Sequence, residues 1–560
     1  MTTDSPFSAH LGTNYCPKDE EVLEIKSLLV EPTLRLKSLD NEIADLQKAI
    51  DKLKEEHDSV GSFVEAHKAL ISLARRLPLD IIQEIFVACL PNDRNCAMSA
   101  SEAPVLLGRI CSSWRAISMS TPRIWAKLHI VDPPPFPDAP TLVAETVALR
   151  LATAKIWLRR SGQCPLSISL KCGFEYYPGP SSITRTSVLQ LLIQFAPRWQ
   201  HIHFTIPPAA LQEILDLTET DVPLLETVAL KMTDPHGVFT WGSFGILRAA
   251  RLSSFSMPWN AFHLLELLPL RWHQLTTLSI DGLGWGVWSG LMTEASLRAI
   301  SSCPELRCCK LTVSDLTTEP QSQHPIVELA FLHTLEVHCT ANLTIPYFFQ
   351  RLSVPALRKF ILRGLADSDQ CSDRSLAHFI GTLSHLEDFD IEHNIFSKAA
   401  LLETLQSLPS TVKRLVISDG ADMSFNGSSP ISLDDDTLAL LTPADDAIPA
   451  LCCPALRTLL IKDGRLISDS ALLRFISTRM KGDTPLRRVH AQFKRGRTLD
   501  LNIHLTPFMD NGLEVSIVHS LFRTPWSILG SLSPWNGLTE EPYNPEPSVV
   551  GFPIHSTFHW

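Results

Sequence analysis

The first strong pattern of apolar positions lies in residues 32–74. Leu36 is followed at alternating steps of three and four residues by Leu39, Ile43, Leu46, Ile50 and Leu53. This spacing predicts a helix with one apolar seam. The seam is under three heptads long, so packing against the neighbouring segment and coiled-coil dimerisation both remain open. Residues 1–31 show no repeated apolar pattern, and we expect a mobile start.

A second pattern begins at Leu77, in the stretch LPLDIIQEIFVACLP. Its apolar residues recur at helical spacing and form one wide face, and Pro78 suits a first helical turn. A second apolar segment follows at 105–117, and a third contains Ile124 and Trp125. We therefore predict three short helices with a small shared core in residues 75–130.

Beyond residue 198 a single six-residue pattern recurs, with apolar residues at its first, fourth and sixth positions. Most copies begin 23 to 31 residues apart, and one interval is 44 residues long. Each copy predicts a strand whose apolar face is covered only by its neighbours, so the series predicts a parallel sheet. The copies are WQHIHF at 199, LETVAL at 225, LSSFSM at 252, LTTLSI at 275, LRCCKL at 306, LHTLEV at 332, LRKFIL at 357, LEDFDI at 386, VKRLVI at 412, LRTLLI at 456 and LRRVHA at 486.

The third and fifth positions of each copy point away from the buried residues, because side chains alternate along a strand. In the early copies these positions are small or hydroxylated, as at Thr227 and Ser254. In the later copies they become charged. We predict that a polar protein segment docks on these later strands, at Lys359, Asp388, Asp390, Arg414 and Arg488.

Several other segments divide the chain. The proline-rich stretch 131–140 predicts a stiff linker ahead of a repeat domain over 141–500. The long interval holds a Ser- and Asp-rich insertion at 418–450, which we expect to project as a loop. Residues 501–560 are interpreted as a cap and tail, in which Asn511-Gly512 indicates a hairpin.

Composition excludes several classes of function. The chain has 560 residues, 60 acidic against 49 basic, and a formal charge of −11. This balance opposes binding to nucleic acid. We find no membrane-spanning apolar run and no dense cysteine framework among the 13 cysteines, so we expect a cytoplasmic or nuclear protein with no membrane partner.

No residue pattern indicates catalysis, a cofactor or a metal. The glycine-rich loop DGLGWGVWSG, residues 281–290, lacks the spacing and lysine of a phosphate loop. His201 and His203 lie two apart on one predicted strand without a third ligand nearby. The acidic run Asp434–Asp436 lacks calcium-loop spacing and is interpreted as a solvated acidic segment.

The segments LPLDIIQEIF, LLGRICSSWRAIS and TPRIWAKLHI together resemble the F-box, in the order and types of their residues. They depart from the family's pattern in the longer insert NDRNCAMSASEA. The resemblance implies docking on a Skp-type adaptor of a cullin ligase. The residues that it implies for this contact are Leu77, Pro78, Ile81, Ile82, Ile85, Phe86, Leu107, Trp114, Ile124 and Trp125.

The recurring strand pattern over 199–491 resembles leucine-rich repeats, although the usual asparagine at the ninth position occurs only at Asn260 and Asn394. The expected fold is an α/β solenoid. It comprises an N-terminal helix, a three-helix F-box and a curved parallel sheet with helices on its convex side. The segment WLRRSGQCPLSISL, residues 157–170, resembles one that is common after the F-box in fungal families of such proteins. The combined resemblance implies a substrate-recognition subunit of a Skp–cullin–F-box ubiquitin ligase without its own catalytic site. The alternative is an interaction scaffold outside any ligase; the oligomeric state is left open.

Overall fold

The protein forms two compact units, Met1–Glu84 and Ile85–Trp560, which are described separately. They are seen in a computed structural model. It describes residues 5–71, 73–131, 140–172, 188–232, 244–259, 265, 268–282, 291–314, 325–339, 344–364, 375–392, 396–418, 433–443 and 452–519.

The first unit consists largely of one helix, Asp19–Leu70. It begins earlier than the predicted limit of residue 32, because the backbone N–H of Lys18 donates to Glu21 Oε2 at 2.8 Å. Acidic residues in the first turn also favour a helix N-terminus. The helix continues past Pro32 and through Gly61. Short 3₁₀ helices lie at Ser8–His10 and Leu73–Arg76.

The helix Leu79–Ala88 crosses from one unit into the next. In the second unit it is followed by helices Leu107–Ile110 and Ser112–Met119 and by the 3₁₀ helix Pro122–Trp125. The first predicted helix is present, whereas the segment 105–117 is divided at Cys111 into two helices, and the segment with Ile124 and Trp125 forms a 3₁₀ helix. Phe86 is fully buried, with its ring 5.0 Å from that of Trp114.

Fourteen strands of the second unit form one sheet in which every neighbouring pair is parallel. The strands follow the order of the chain across the sheet, and two short strands, β8 and β10, pair separately. The strands are β1 Lys127–Val131, β2 Leu166–Lys171, β3 Trp199–Ile206, β4 Thr227–Met232, β5 Ser254–Trp259, β6 Thr277–Gly282, β7 Cys308–Val313, β8 Val327–Glu328, β9 Thr334–Cys339, β10 Leu352–Ser353, β11 Lys359–Gly364, β12 Asp388–Glu392, β13 Arg414–Ser418, β14 Thr458–Gly464, β15 Arg488–Phe493 and β16 Glu514–His519.

All eleven copies of the recurring pattern lie at strands of this sheet, so the predicted parallel sheet is confirmed. In the copy at 357, for example, Leu357, Phe360 and Leu362 are fully buried. The same positions are buried in the other copies, because alternate side chains of a strand share one face. The fold is thus a long parallel α/β sheet, which is consistent with a solenoid.

Helices connect the strands and supply the second layer of the core. Phe349 and Phe379 lie on two such helices, and their rings pack against Phe360 at 5.6 and 5.8 Å. Phe389 on the next strand lies 5.7 Å from Phe360. The longer connecting helices are Pro140–Arg160, Thr293–Ser301, Thr344–Gln350, Ser375–Gly381, Lys398–Gln406, Asp435–Leu440, Asp469–Met480 and Leu501–Asp510.

The sheet extends to both sides of the proline-rich stretch that the sequence suggests as a domain linker. β1 lies before these prolines and pairs with β2 after them, in the register Lys127↔Ser167. Residues 132–139 themselves lie outside the described residues. The helices from Ile85 onward therefore belong to the same compact unit as the sheet.

The insert that interrupts the F-box-like pattern lies along the outer edge of β1. The backbone N–H of His129 donates to the Cys96 carbonyl at 2.8 Å, and Ala97 pairs with His129 as an isolated bridge. The side chain of Asn95 donates to Ser169 Oγ at 3.1 Å. The insert therefore shields part of an edge strand, which would otherwise offer unpaired backbone groups.

The contact between β4 and β5 is the shortest of the pairings in the first half of the sheet. Their ladder ends at the pair Ala229↔Ser256, whereas β5 pairs with β6 as far as Trp259. Pro258 lies in the last part of β5 and has no backbone N–H to donate. The residue type thus explains why the ladder to β4 stops.

The hairpin predicted at Asn511-Gly512 is wrong. These residues end the helix Leu501–Asp510, with Gly512 at φ +91°, and β16 then pairs parallel with β15. A glycine in the left-handed region is common just after a helix. The loop expected at 418–450 contains a helix, Asp435–Leu440, whereas residues 419–432 and 444–451 lie outside the described residues.

Candidate functional site

The ten residues implied for an adaptor contact fall into two groups in the structure. Ile82, Phe86, Leu107, Ile124 and Trp125 are buried within the chain, and Trp114 is half-buried. Leu77, Pro78, Ile81 and Ile85 are exposed. Ile81 and Ile85 lie one turn apart on one helix. They are 45% and 40% exposed, respectively.

Trp125 shows why the buried group stabilises this chain. Its Nε1 donates to the Ser118 carbonyl at 2.8 Å, and its ring lies edge-on to Trp157 at 4.8 Å. The guanidinium of Arg160 lies 4.7 Å from the ring centroid. These contacts satisfy both the polar and the apolar parts of the side chain. The exposed group is therefore the part of the set that offers apolar surface to another molecule.

The face of the sheet opposite the buried apolar residues forms a second candidate surface, which we call the open face. Its first row runs across all fourteen strands in register. From β2 to β9 this row is uncharged apart from a histidine, and from β11 onward it carries most of its charge. The row reads Lys127, Ser167, His201, Thr227, Ser254, Thr277, Cys308, Thr334, Lys359, Asp388, Arg414, Thr458, Arg488 and Glu514.

Charges on adjacent strands of the first row have opposite signs and form ion pairs. Asp388 lies between Lys359, whose Nζ is 3.9 Å from Oδ2, and Arg414, whose Nη1 donates to Oδ1 at 2.8 Å. At the far edge, Arg488 Nη2 lies 2.6 Å from Glu514 Oε2. Neighbouring strands are close enough for direct pairing, so the alternation of sign stabilises the array of side chains.

A more buried ion pair, between Arg363 of β11 and Asp390 of β12, lies further along the same two strands. Arg363 donates to both carboxylate oxygens of Asp390 at 2.7 Å, and its Nε lies 3.7 Å from Glu392. Burial raises the pKa of Glu392 above its ordinary value. Burial opposes the charge of Arg363, but its hydrogen bond with Asp390 and the nearby carboxylates raise its pKa. The bidentate geometry fixes the guanidinium plane against the sheet.

The charged part of the open face extends to β9 and β7. His338 Nε2 lies 2.7 Å from Glu336 Oε1, and Lys310 Nζ lies 3.4 Å from the same oxygen. The hydrogen bond with His338 and the charge of Lys310 lower the pKa of Glu336 to about 2. Glu336 is therefore an anion throughout the neutral range, held between two donors.

Three of these residues were missed by the sequence prediction. Arg363, His338 and Glu392 occupy the seventh position of their copies, whereas only the third and fifth positions were considered. The same alternation, extended by two residues, assigns them to the open face. Lys310 and Glu336 are at the fifth position and follow from the rule as stated.

The catalytic and metal alternatives gain nothing from the geometry. His201 Nδ1 lies 3.0 Å from Thr227 Oγ1, and burial lowers the pKa of both His201 and His203. Within the described ranges, no three His, Cys, Asp or Glu side chains are grouped as a metal site. Most of the glycine-rich loop, residues 283–290, lies outside them.

The acidic run Asp434–Asp436 has a structural role. Asp434 accepts a hydrogen bond from Thr437 N at 3.2 Å and caps the helix Asp435–Leu440. Lys398 Nζ lies 2.5 Å from Asp434 and 2.7 Å from Asp436. Asp435 accepts from the Ser468 backbone and hydroxyl. The carboxylates thus hold neighbouring helices together.

Comparison with known proteins supplies no family for this chain. No family model matches it, and no curated protein matches it. One solved structure that matches, a crystal structure of a protein from Bacteroides fragilis, shares 12% identity, with 62% of this chain and 71% of that chain covered at a TM-score of 0.24. At that TM-score the similarity supports neither a fold assignment nor a function. Separately, none of the helices in the described residues is both long and apolar enough to cross a membrane.

Proposed function

We propose that this chain is a substrate-recognition subunit of a Skp–cullin–F-box type ubiquitin ligase. Its F-box-like segment, residues 75–130, binds the adaptor, and the leucine-rich-repeat-like sheet binds a target protein. The chain catalyses no reaction itself. It raises the effective concentration of the ubiquitin-charged enzyme near the target.

The proposal depends mainly on the exposed apolar side chains of the helix Leu79–Ala88, which lies in the F-box-like segment. The helix buries Ile82 and Phe86 and leaves Ile81 and Ile85 exposed. Adjacent exposed isoleucines on a short helix are typical of a surface that another protein covers. Leu77 and Pro78, just before the helix, are exposed as well.

A binding assay with purified Skp-type adaptor tests the first contact. We expect Ile81→Asp with Ile85→Asp to weaken adaptor binding at least about 10-fold, since each removes apolar contact and buries a charge. The matched control is Ile503→Asp, an exposed isoleucine of the helix Leu501–Asp510, which should bind normally. If the intact chain does not bind the adaptor, the ligase proposal fails. The better function is then the alternative, an interaction scaffold that belongs to no ligase.

The open face supports the second contact. Its charged side chains already pair with one another. A target therefore binds through charges that alternate in sign to match Lys359, Asp388 and Arg414, and a target with charge of one sign fits less well. The side chains of Lys359, Arg414 and Arg488 keep 43%, 39% and 60% of their surface exposed. A polar peptide can therefore reach their charged ends.

A charge exchange tests this surface. Asp388→Arg with Arg414→Asp keeps an internal ion pair but reverses the sign at each position, and we expect target proteins captured from cell extract to be lost. The control exchanges Glu387 and Lys413, which pair at 3.0 Å at the start of the same strands. Equal capture by both variants, measured by quantitative mass spectrometry, would show that the open face does not bind targets.

A further inference from the structure

The long helix of the first unit carries an apolar seam that the described residues of this unit leave exposed. Its leucine, isoleucine and valine residues from 36 to 60 are exposed by 36% to 64%, and the side chain of His57 by 84%. The structure extends the pattern visible in the sequence, because the helix runs without interruption past His57 and Gly61. The seam comprises Leu36, Leu39, Ile43, Leu46, Ile50, Leu53, His57 and Val60.

The remaining positions of the same stretch are almost all polar. Apart from Ala44, the outward heptad positions b, c and f carry charged, amide or hydroxyl groups. The stretch thus has one apolar stripe with a strict repeat and a solvated remainder. A narrow stripe of this kind fits one facing helix, and a globular surface calls for a broader apolar face. These outward residues are Lys37, Ser38, Asn41, Asp45, Lys48, Asp51, Lys52, Glu55, Asp58 and Ser59.

The residue types at the centre of the seam favour two helices. There the first heptad position, a, holds the β-branched Ile43 and Ile50 and the fourth, d, holds Leu39, Leu46 and Leu53; at the ends of the seam, a holds Leu36 and His57 and d holds Val60. Among parallel coiled coils, isoleucine at a with leucine at d favours two helices. Leucine at a with isoleucine at d would have favoured larger assemblies.

The charges that flank the seam agree with a pair of identical helices in register. In that arrangement Arg35 at position g lies opposite Asp40 at position e of the second copy. The next such pairs, Glu42 with Gln47 and Ala49 with Lys54, contain no like charges. A second copy of this chain is thus complementary to the first in charge as well as in apolar pattern.

We infer that residues 36–60 form a parallel, in-register coiled coil between two copies of this chain. The dimer is inferred from the first unit alone and is independent of the ligase proposal. It places two identical repeat sheets in one assembly. Binding of one target by both sheets at once rests in addition on the proposed target contact.

The mass of the full chain in solution tests the dimer. We expect twice the 62.3 kDa of one chain by light scattering, and a mass of one chain for Ile43→Lys with Ile50→Lys. Asn41→Lys with Ala44→Lys adds the same charge on the outward face and should remain dimeric. A wild-type chain of single mass, or a dimer that survives lysine at both seam positions, overturns the inference.

Disulfide trapping tests the direction of the helices. In a parallel dimer in register, Leu36→Cys faces its own copy and forms a covalent dimer under mild oxidation. Ser38→Cys lies on the outward face and should not form a covalent dimer. Oxidised wild-type chain is the second control, because it measures linkage through native exposed cysteines such as Cys16. A chain of double mass whose Leu36→Cys variant links no better than Ser38→Cys would overturn the parallel arrangement.

Discussion

Trp125 and Ile85 were assigned the same role from the sequence, and their surroundings give them different ones. Trp125 is 3% exposed and makes a hydrogen bond and two ring contacts within the chain, whereas Ile85 is 40% exposed. We expect Trp125→Ala to lower the free energy of unfolding by about 3 kcal/mol, since it leaves a cavity. Ile85→Ala should change it by less than about 1 kcal/mol. Urea denaturation of both variants measures the difference, and equal losses would contradict this division.

Asp469 is the most completely satisfied carboxylate that we describe. It is 0% exposed and accepts hydrogen bonds from Arg495 at 2.5 Å, His519 at 2.9 Å and the Thr498 backbone at 2.7 Å. Burial alone would raise its pKa, but these donors outweigh burial and lower the pKa well below its ordinary value. The ionised carboxylate thus stabilises the folded chain.

Asp469→Asn should lower the free energy of unfolding by roughly 3 kcal/mol at neutral pH, because Arg495 loses its buried partner. In an unfolded chain the pKa of an aspartate is about 3.9. On acidification, the stabilisation by ionised Asp469 begins to decline as the pH approaches this value. The effect is complete above about pH 5 and is lost as the pH falls through the lowered folded pKa. The variant should therefore lose less stability than the wild type between about pH 5 and pH 3, measured by thermal melting in a pH series. Parallel pH profiles would contradict this role.

At the level of single residues, the sequence predicts burial well and pairing poorly. The alternation of Leu357, Phe360 and Leu362 follows from local geometry, so it can be read from one strand. The copies themselves align the strands, since their third positions pair, as in Lys359↔Asp388. Arg363, however, donates to Asp390, which lies opposite Ile361 in this register. A diagonal contact of this kind depends on the conformation of the arginine side chain, which the repeat pattern does not specify.

Among the elements, the helix Asp469–Met480 is fastened by a buried arginine. Arg479 is 2% exposed and donates to the carbonyls of Leu441, Cys452 and Cys453 at 2.8, 2.7 and 2.9 Å. Burial lowers its pKa. Cys453 has φ +52°, in the left-handed region that few side chains adopt. The guanidinium thus holds both described ends of the connection between the helix Asp435–Leu440 and β14 against one helix.

Arg479→Met should lower the free energy of unfolding by about 2 to 4 kcal/mol, because three buried carbonyls lose their donors. Arg479→Lys should recover only part of this loss, since one ammonium group cannot reproduce the planar fork of the guanidinium. Chemical denaturation measures both variants. A lysine variant as stable as the wild type would show that the charge, and not the fork, is what the loops require.

The elements that the sequence predicted incorrectly share a physical cause. Asn511-Gly512 suits a hairpin and the end of a helix equally well, and only the preceding helix Leu501–Asp510 decides between them. The helix Asp435–Leu440 is short and has little propensity of its own, but Lys398 and Ser468 from other helices hold its acidic start. Tertiary contacts of this kind override local patterns.

For the whole molecule, the short helices between residues 85 and 125 and the sheet stabilise each other within the second unit. β1 shields the edge of β2, and Trp125 packs on Trp157 of the helix Pro140–Arg160. We expect a chain that begins at residue 141 to melt roughly 5 °C or more below the intact chain, and to aggregate through its exposed edge. A chain that begins at residue 71 keeps these contacts and should melt near the intact value. Equal melting of all three chains would contradict this dependence.

The sequence could predict the repeating strands and the existence of short N-terminal helices, because each is a periodic pattern within one segment. It could not predict that these helices join the sheet, because the connection passes through the irregular insert at Asn95–Ala97 and through β1. The adaptor and target surfaces stay predictions. What the structure adds to them is which side chains remain accessible.

The ladder of three residue pairs between β4 and β5 is a weak point of the sheet. If the chain is pulled, as when an unfolding machine draws it in from one end, strands joined by six residue pairs resist longer than strands joined by three. A break between β4 and β5 therefore opens fewer backbone pairings than a break at any other described pairing of the sheet. The charged strands from β7 to β16 all lie on one side of this break, so their charged side chains remain on one continuous sheet when it opens.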